Sequence, residues 1–152
     1  MARELAYAAR LIWTGAAPGY ARDFRFDVAG KPAIVGSADP HFGGDPALHN
    51  PEELLLASLA SCHMLTYLAL CEKARLPLLA YEDRPTGTVA MKDGRMRFTE
   101  VVLYPRVRLG PGGDGAKARA LHASAADYCF IANSVSFPVR HEPEIVTTEA
   151  MA

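Results

Sequence analysis

The sequence predicts an α+β fold, in which two groups of antiparallel strands accompany two helices. Short runs that alternate apolar and polar residues, bounded by Gly, Pro, Asp and Asn, are typical of half-buried strands. One long apolar run and one shorter alanine-rich run are typical of helices. The elements follow the order β-β-β-α-β-β-α-β, which groups the strands instead of alternating them with helices, and this favours α+β over a parallel α/β sheet.

The first three strands are predicted in the N-terminal third of the chain. Residues 4–13 and 20–28 have strand-like composition, and aromatic residues alternate with charged ones in the second run. Pro18 and Gly19 punctuate the two runs as a hairpin turn. The segment AGKP at 29–32 then turns the chain into a third strand, AIVGS.

A long helix is predicted after a loop rich in Gly, Pro and Asp. Asn50 is a favourable N-cap, Pro51 suits the first helical position, and Glu52 suits the positive end of the helix dipole. The helix should continue to about Ala74, because Pro77 stops it. Its middle is apolar nearly all round, so it must be buried on most sides, and a chain of this length could hardly surround it alone. The pattern therefore indicates a partner subunit.

The second half of the chain is predicted to contain three more strands and one helix. Residues 79–91 and 96–109 have strand composition, and the segment KDGR at 92–95 is typical of a hairpin turn. Residues 116–130 form the second helix, and 137–148 form the last strand.

Length and composition limit the classes of protein to consider. The chain has 152 residues, 50% hydrophobic and 22% charged, which predicts one domain over residues 1–152 of an ordinary globular protein. A net charge of −1 gives no broad basic field, so neither nucleic acid nor a membrane surface is expected as a partner. The uncharged run from Leu54 to Cys71 approaches the length of a membrane span, but its polar residues favour a buried core helix. The N-terminal segment does not resemble a secretory signal, and the expected location is the cytoplasm.

The cysteines do not indicate a disulfide scaffold or a metal site. The chain has three cysteines: Cys62, Cys71 and Cys129. Proteins with a secreted disulfide framework usually have an even number of cysteines and a secretory signal, and this sequence shows neither. None of them shows CxxC spacing, and the histidines show no metal-ligand spacing. We therefore expect no metal and no bound cofactor.

Cys62 is nevertheless a candidate nucleophile, because it lies in the most apolar stretch of the chain. The reactive form of cysteine is the thiolate, and apolar surroundings raise the pKa of a cysteine. A reactive Cys62 would need a compensating cation, for which a permanently charged arginine with a planar fork of donors is suited. A buried arginine would in turn need a carboxylate to fix its orientation.

The pattern NPEELLLASLASCHML, followed by a second cysteine in ADYCFIANS, resembles the osmotically induced protein and organic hydroperoxide resistance family (OsmC/Ohr). The likeness extends over nearly the whole chain. It implies a fold with two antiparallel sheets wrapped around central helices in an intertwined homodimer, with active sites at the subunit interface. The sequence after the second cysteine lacks the Pro-Tyr-Ser of many hydroperoxide-resistance members, which places it closer to an OsmC-like branch.

The resemblance also implies roles for individual residues. Cys62 matches the cysteine that attacks the peroxide, and Cys129 matches the resolving cysteine that closes a disulfide. Glu52 matches the acid of the Asn-Pro-Glu motif. Arg22 matches the active-site arginine better than Arg25 does, because the Arg-Asp pair at 22 and 23 fits the family pattern.

The implied activity is reduction of organic hydroperoxides to alcohols through a cysteine sulfenic acid and an intramolecular disulfide. The partners would be a second copy of the chain, an organic hydroperoxide, and an external dithiol of the lipoyl or thioredoxin type. Two other interpretations stay open: a non-catalytic, stress-related module that binds a lipid-like molecule, and a thiol redox sensor.

Helix geometry restricts how these residues can meet. Glu52 and Cys62 lie about 15 Å apart along one helix and project about 80° apart, so they cannot share a site within one straight helix. We therefore predict a composite site, with Glu52 of one subunit beside Cys62 of the other. His63 cannot face Cys62 from the adjacent helical position, which favours a core or interface histidine. Cys71 is expected to be structural, on the opposite side of the helix.

Overall fold

The computed structural model describes residues 3–13, 15 and 19–148, which form nine strands and two α-helices among them. The strands are β1 (Arg10–Trp13), β2 (Phe24–Asp27), β3 (Ile34–Gly36), β4 (Leu78–Glu82), β5 (Thr86–Lys92), β6 (Arg95–Leu103), β7 (Arg106–Leu109), β8 (Val139–His141) and β9 (Glu144–Thr147). The helices are α1 (Pro51–Lys73) and α2 (Gly115–Tyr128). The chain divides into two compact units, one ending at Leu55 and the other beginning at Leu56.

The first unit contains an antiparallel sheet of three strands in the order β1-β2-β3. All three predicted strands are present but shorter than expected, and Pro18 of the predicted hairpin turn lies outside the described residues. At the end of β3 the backbone of Gly36 approaches the Phe24 ring and the His49 carbonyl so closely that a Cβ atom would collide with both. Glycine is therefore required where this strand meets the loop that leads to α1.

The second unit contains two further sheets, with strand orders β4-β7-β9 and β5-β6-β8. The turn between β5 and β6 is the predicted Asp-Gly turn, with φ of 51° at Asp93 and 73° at Gly94. The three long strands predicted for this half are each divided in two, at Pro85, Pro105 and Pro143. Proline has no N–H group to donate to a ladder, so a continuous strand cannot pass through it in the interior of a sheet.

The expectation of two antiparallel sheets was wrong for the second unit. Both of its sheets are mixed, because β8 pairs with β6 and β9 pairs with β7 in parallel. Parallel neighbours need a long crossover connection. Helix α2 lies between β7 and β8 in the chain and supplies that crossover. The fold is a mixed α+β arrangement of three small sheets and two helices.

Helix α1 begins as the sequence predicts and ends one residue before Ala74. The Asn50 side chain accepts from the Glu53 N–H at 2.8 Å, and Glu53 accepts from the Asn50 N–H at 3.2 Å, which together form a reciprocal capping box. Beyond the helix, Arg75 adopts the left-handed conformation with φ of 56°, a typical way to stop a helix.

Only one stripe of α1 is buried within the single chain. Its buried residues recur every four positions: Leu59, His63, Tyr67 and Cys71. Leu65, on another side, is 62% exposed, so the expected burial on most sides is not reached within one chain. By length and composition α1 could also cross a membrane, with a mean hydropathy of 1.8, but the core helix of a soluble protein meets the same criteria.

Helix α2 packs with α1 in the core of the second unit. Asp114 caps its N-terminus by accepting from the Lys117 N–H at 2.9 Å. The buried core cluster combines residues of both helices and of β7: Tyr67, Cys71, Val107, Leu109, Ala118 and Ala125. The predicted helix 116–130 ends earlier than expected, at Tyr128, and Cys129 is its C-cap. Cys129 is therefore the residue at which the chain leaves α2.

Candidate thiol site

The structure brings Cys62 and Cys129 together. Cys62 lies in the middle of α1 and is half-buried, whereas Cys129 is 1% exposed at the end of α2. Both are free thiols, and Cys62 is near enough to raise the pKa of Cys129. We refer to Cys62 and Cys129 as the thiol pair. The fold therefore brings near each other two thiols that are far apart in the chain.

The surroundings of Cys129 favour the protonated thiol. Burial raises the pKa of Cys129 to about 11, and the neighbouring Cys62 thiol contributes to the rise. Two backbone N–H groups, from Ala132 and Ile131, donate to the sulfur and act in the opposite direction. Cys129 is therefore protonated at neutral pH, although two backbone N–H groups are positioned to stabilise its thiolate.

A cavity of about 180 Å³ lies beside Cys129, the buried member of the thiol pair. It is lined by Leu59, His63, Leu103, Ala126, Cys129, Ala132, Asn133, Val139 and His141. Aliphatic side chains form one part of the wall, and the two imidazoles and the Asn133 amide contribute to an equally large polar part. For scale, an apolar protein cavity of about 150 Å³ binds benzene. The space therefore suits one small apolar group with a polar end.

Three histidines form a cluster at this cavity, and two of them, His63 and His141, line it. The Nε2 atom of His63 lies 3.0 Å from Nδ1 of His122, within hydrogen-bonding distance. The His63 and His122 rings lie nearly parallel, with centroids 5.3 Å apart, and the centroid of the His141 ring lies 5.6 Å from that of His63. His122 also stacks on Tyr67 at 3.9 Å, and the Tyr67 hydroxyl donates to the Ala118 carbonyl. We call His63, His122 and His141 the histidine cluster.

Two members of the histidine cluster are held neutral. Burial, with repulsion from His141, lowers the pKa of His63 to about 4. Burial also lowers the pKa of His122 to about 3, with contributions from its two histidine neighbours and from Arg119. The Nε2 atom of His122 is buried and has no hydrogen-bond partner among the described residues. Protonating either ring would place a poorly solvated charge in the core.

The two remaining predicted site residues, Arg22 and Glu52, belong to the first unit. Arg22 is exposed in the segment before β2, and Arg25, the weaker candidate, is exposed and paired with Asp27 at 2.7 Å. Glu52 is half-buried in the first turn of α1. Because α1 is one continuous helix, Glu52 and Cys62 of the same chain stay about 15 Å apart along its axis.

The histidine cluster is the main feature that the sequence did not predict. The sequence predicts a core or interface position for His63, and the side chain is only 2% exposed, which agrees with a core position. Its contact with His122 and His141 joins α1, α2 and β8, and no local pattern predicts such a meeting. A usable signal was present in α2, where His122 lies at helical spacing from the small residues Ala118 and Ala125. Within the described part of the chain, no group of three or more His, Cys, Asp or Glu is arranged to hold a metal.

Fold and site together define a small α+β protein in which a thiol of one helix lies near a thiol at the end of the other, and the second of these lines a cavity. A family model described as OsmC-like protein matches residues 43–144. The chain belongs to the OsmC-like family.

Solved structures extend the similarity beyond the matched segment. An OsmC-like protein of unknown function from Vibrio cholerae is 30% identical, with a TM-score of 0.86 over 93% of this chain and 100% of that one. Two more distant structures share the fold at 16% identity. One, from Legionella pneumophila, is named an organic hydroperoxide resistance protein and has a TM-score of 0.71 over 93% of this chain and 97% of its own. The other, from Elizabethkingia anophelis, has the same designation and a TM-score of 0.72 over 97% of this chain and 100% of its own. No functionally curated protein matched the sequence.

Proposed function

We propose that the protein is a thiol-dependent peroxidase that reduces organic hydroperoxides to alcohols. The observation that carries the proposal is the proximity of Cys62 to Cys129, whose side chain lines a cavity with both apolar and polar walls. A half-buried thiol can meet a substrate, and a buried thiol next to it can trap the oxidised product. The names of the Legionella and Elizabethkingia proteins support the same chemistry for relatives with this fold.

The proposed reaction has three steps. The Cys62 thiolate attacks the distal peroxide oxygen, the O–O bond breaks, and the alkoxide takes up a proton to leave as an alcohol. Cys129 then attacks the sulfur of the Cys62 sulfenic acid, forming a disulfide and releasing water. An external dithiol of the lipoyl or thioredoxin type reduces that disulfide and restores both thiols.

The cavity indicates which hydroperoxides would fit. The aliphatic part of its wall, formed by side chains such as Leu59, Leu103 and Val139, can pack against an alkyl group, which favours an alkyl group over a second hydroxyl. Its volume of about 180 Å³ matches a compact branched alkyl group better than an extended chain. tert-Butyl hydroperoxide is therefore the first substrate to test, with hydrogen peroxide as the comparison.

The activating cation is proposed to come from a second copy of the chain. Arg22 would hold the Cys62 thiolate and a peroxide oxygen, and Glu52 would orient that arginine. Glu52 cannot meet Cys62 along its own helix, whereas the N-terminal end of α1 from a partner subunit can lie beside it. A homodimer would also cover the apolar side of α1 that includes Leu65.

The test is a thiol count on the reduced protein after addition of tert-butyl hydroperoxide. We expect two thiols lost per chain, at Cys62 and Cys129, and a disulfide between them identified by peptide mapping. Cys62→Ser should lose no thiol, and Cys71→Ala should behave as wild type. With a dithiol donor present, wild type should turn over repeatedly.

Two other results would each favour a different function for this protein. Unchanged thiols would refute the peroxidase and favour a binding module for a lipid-like molecule. Oxidation once per chain without turnover on any dithiol would favour a thiol redox sensor.

A further inference from the structure

The resolving step, as proposed above, leaves a proton-transfer problem at Cys129. The attacking group must be a thiolate, yet burial holds this thiol in its protonated form, with a pKa of about 11. The hydroxyl of the Cys62 sulfenic acid is a poor leaving group unless it receives a proton. Closing the disulfide is therefore faster if one group takes a proton from Cys129 and returns one to the departing oxygen.

The histidine cluster places two imidazoles on the wall of the same cavity as Cys129. His63 and His141 both line it, and their ring centroids lie 5.6 Å apart. The proposed peroxidase steps assign neither of them a role. Although His63 follows Cys62 directly in the sequence, in the fold it shares a cavity with the other cysteine of the pair.

His141 is better placed than His63 to exchange a proton. His63 is 2% exposed and its Nε2 atom is engaged with His122 at 3.0 Å, so its ring is fixed and hard to charge. His122, 0% exposed, is farther back and does not line the cavity. His141 lies at the end of β8 and is half-buried, so its ring has both a face on the cavity and partial access to solvent.

We propose that His141 is the acid–base residue of the resolving step and that His63, held by His122, positions it. As Cys129 attacks, the His141 imidazole accepts the thiol proton, and the sulfur lone pair forms the S–S bond to Cys62. The S–O bond breaks with its electron pair on oxygen, and His141 delivers a proton to that oxygen, which leaves as water. The imidazole ends in its starting state, Cys129 is oxidised and the Cys62 sulfenic sulfur is reduced, so no further reactant is needed.

This inference rests on the proposed function for the sulfenic acid, but its base half can be tested without any peroxide. Cys62 is converted to the mixed disulfide with thionitrobenzoate by one equivalent of Ellman's reagent. Attack by Cys129 then releases thionitrobenzoate, which is followed by its absorbance. This leaving group departs as an anion and needs no proton, so the rate reports on how readily Cys129 is deprotonated.

The variants are His141→Gln and His141→Asn, and His41→Gln is the control because its side chain, in the short 3-10 helix Pro40–Phe42 of the first unit, is 90% exposed. We expect thionitrobenzoate release to slow by about 10²-fold in both His141 variants, and added imidazole to restore part of the rate. After a pulse of tert-butyl hydroperoxide, dimedone trapping should show Cys62 sulfenic acid forming at the wild-type rate and persisting longer. Imidazole rescue is the readout that a merely structural defect would not show.

The outcomes separate the two proposals. Release within about twofold of wild type in a folded His141 variant, or slowing that imidazole does not relieve in either variant, would overturn the role of His141. If wild-type Cys62 fails to react with tert-butyl hydroperoxide, the peroxidase proposal falls, while thionitrobenzoate release still decides whether His141 activates Cys129.

Discussion

At the scale of single residues, the second unit buries two histidines in neutral form. His63 and His122 share one hydrogen bond, and His122 stacks on Tyr67, whereas the buried Nε2 atom of His122 has no hydrogen-bond partner among the described residues. In the unfolded chain each histidine would bind a proton near pH 6.5. Both histidines bind a proton more weakly in the folded state than in the unfolded state, so acid should lower the free energy of unfolding.

The first prediction concerns the pH dependence of stability. Because the folded pKa values of His63 and His122 are lowered to about 4 and about 3, their contribution is complete above pH 6.5 and is lost as pH falls towards those values. We expect the Tm to fall steadily from pH 6.5 to 5 by scanning calorimetry. This window lies above the range where Asp39 and Glu100, whose pKa values are lowered, become protonated.

The matched variant for this prediction is His122→Asn, which keeps a polar atom near the position of Nδ1 and removes one titrating ring. Its Tm should be lower at pH 7 because packing is lost, but the decline between pH 6.5 and 5 should be shallower. His41→Gln, on an exposed side chain, should keep the wild-type slope. An unchanged slope in His122→Asn would show that the buried ring does not control acid sensitivity.

At the scale of elements, the stability of α1 depends in part on the capping of its first turn. The reciprocal bonds between Asn50 and Glu53 satisfy backbone donors that the helix itself cannot pair. We expect Asn50→Ala to reduce the free energy of unfolding by about 1 kcal/mol, measured by urea denaturation. Glu53→Gln should cost less, because glutamine can also close a capping box, and Glu52→Gln, outside the box, should change stability least. Equal stability of Asn50→Ala and wild type would contradict the role of the cap.

The same local signals explain which elements could be predicted from the sequence. The cap at Asn50 and the Asp-Gly turn at 93 and 94 act within a few residues, so α1 and the β5–β6 hairpin were predicted correctly. Each strand divided by a proline was read as one, because its composition is strand-like on both sides of the break. Parallel pairing of β8 and β9 depends on where α2 returns the chain, which no window of sequence contains.

The residues of the candidate site also fall into those that the sequence could identify and those that it could not. Cys62 and Cys129 were found through a family pattern, and their proximity in space requires the packing of α1 against α2. The histidine cluster needs three elements to meet, and the spacing of its members in the chain gives no hint of that meeting. Sequence therefore identified the groups that carry the chemistry better than those that surround them.

At the scale of the whole molecule, a single chain leaves much apolar surface uncovered. Only 28% of the most apolar window of α1 is buried, and Leu65 is 62% exposed. In the first unit Tyr7 is 88% and Leu11 is 69% exposed. Exposed apolar surface of this extent is typical of a protein–protein interface. In a homodimer that covers α1, Glu52 of one subunit could lie beside Cys62 of the other, although it stays about 15 Å from the Cys62 of its own helix.

The composite site can be tested by mixing two inactive variants. Arg22→Gln removes the proposed cation and Cys62→Ser removes the nucleophile, so each homodimer should be inactive with tert-butyl hydroperoxide. If Arg22 of one subunit serves Cys62 of the other, a hybrid dimer keeps one site built entirely from defective parts and one site that is intact. Random exchange at equal amounts should then restore about a quarter of the wild-type sites.

Complementation should depend on subunit exchange, so it should be absent before the two variants are unfolded and refolded together. It should also be absent with the pair Cys62→Ser and Cys129→Ser, because both cysteines lie on one chain and each site would lack one of them. Leu65→Glu, on the uncovered side of α1, should shift the protein to monomers in light scattering and remove activity. If the first pair never regains activity although hybrids form, Arg22 acts within its own subunit and the composite site is wrong. If Leu65→Glu monomers stay fully active, the second subunit contributes nothing to the chemistry.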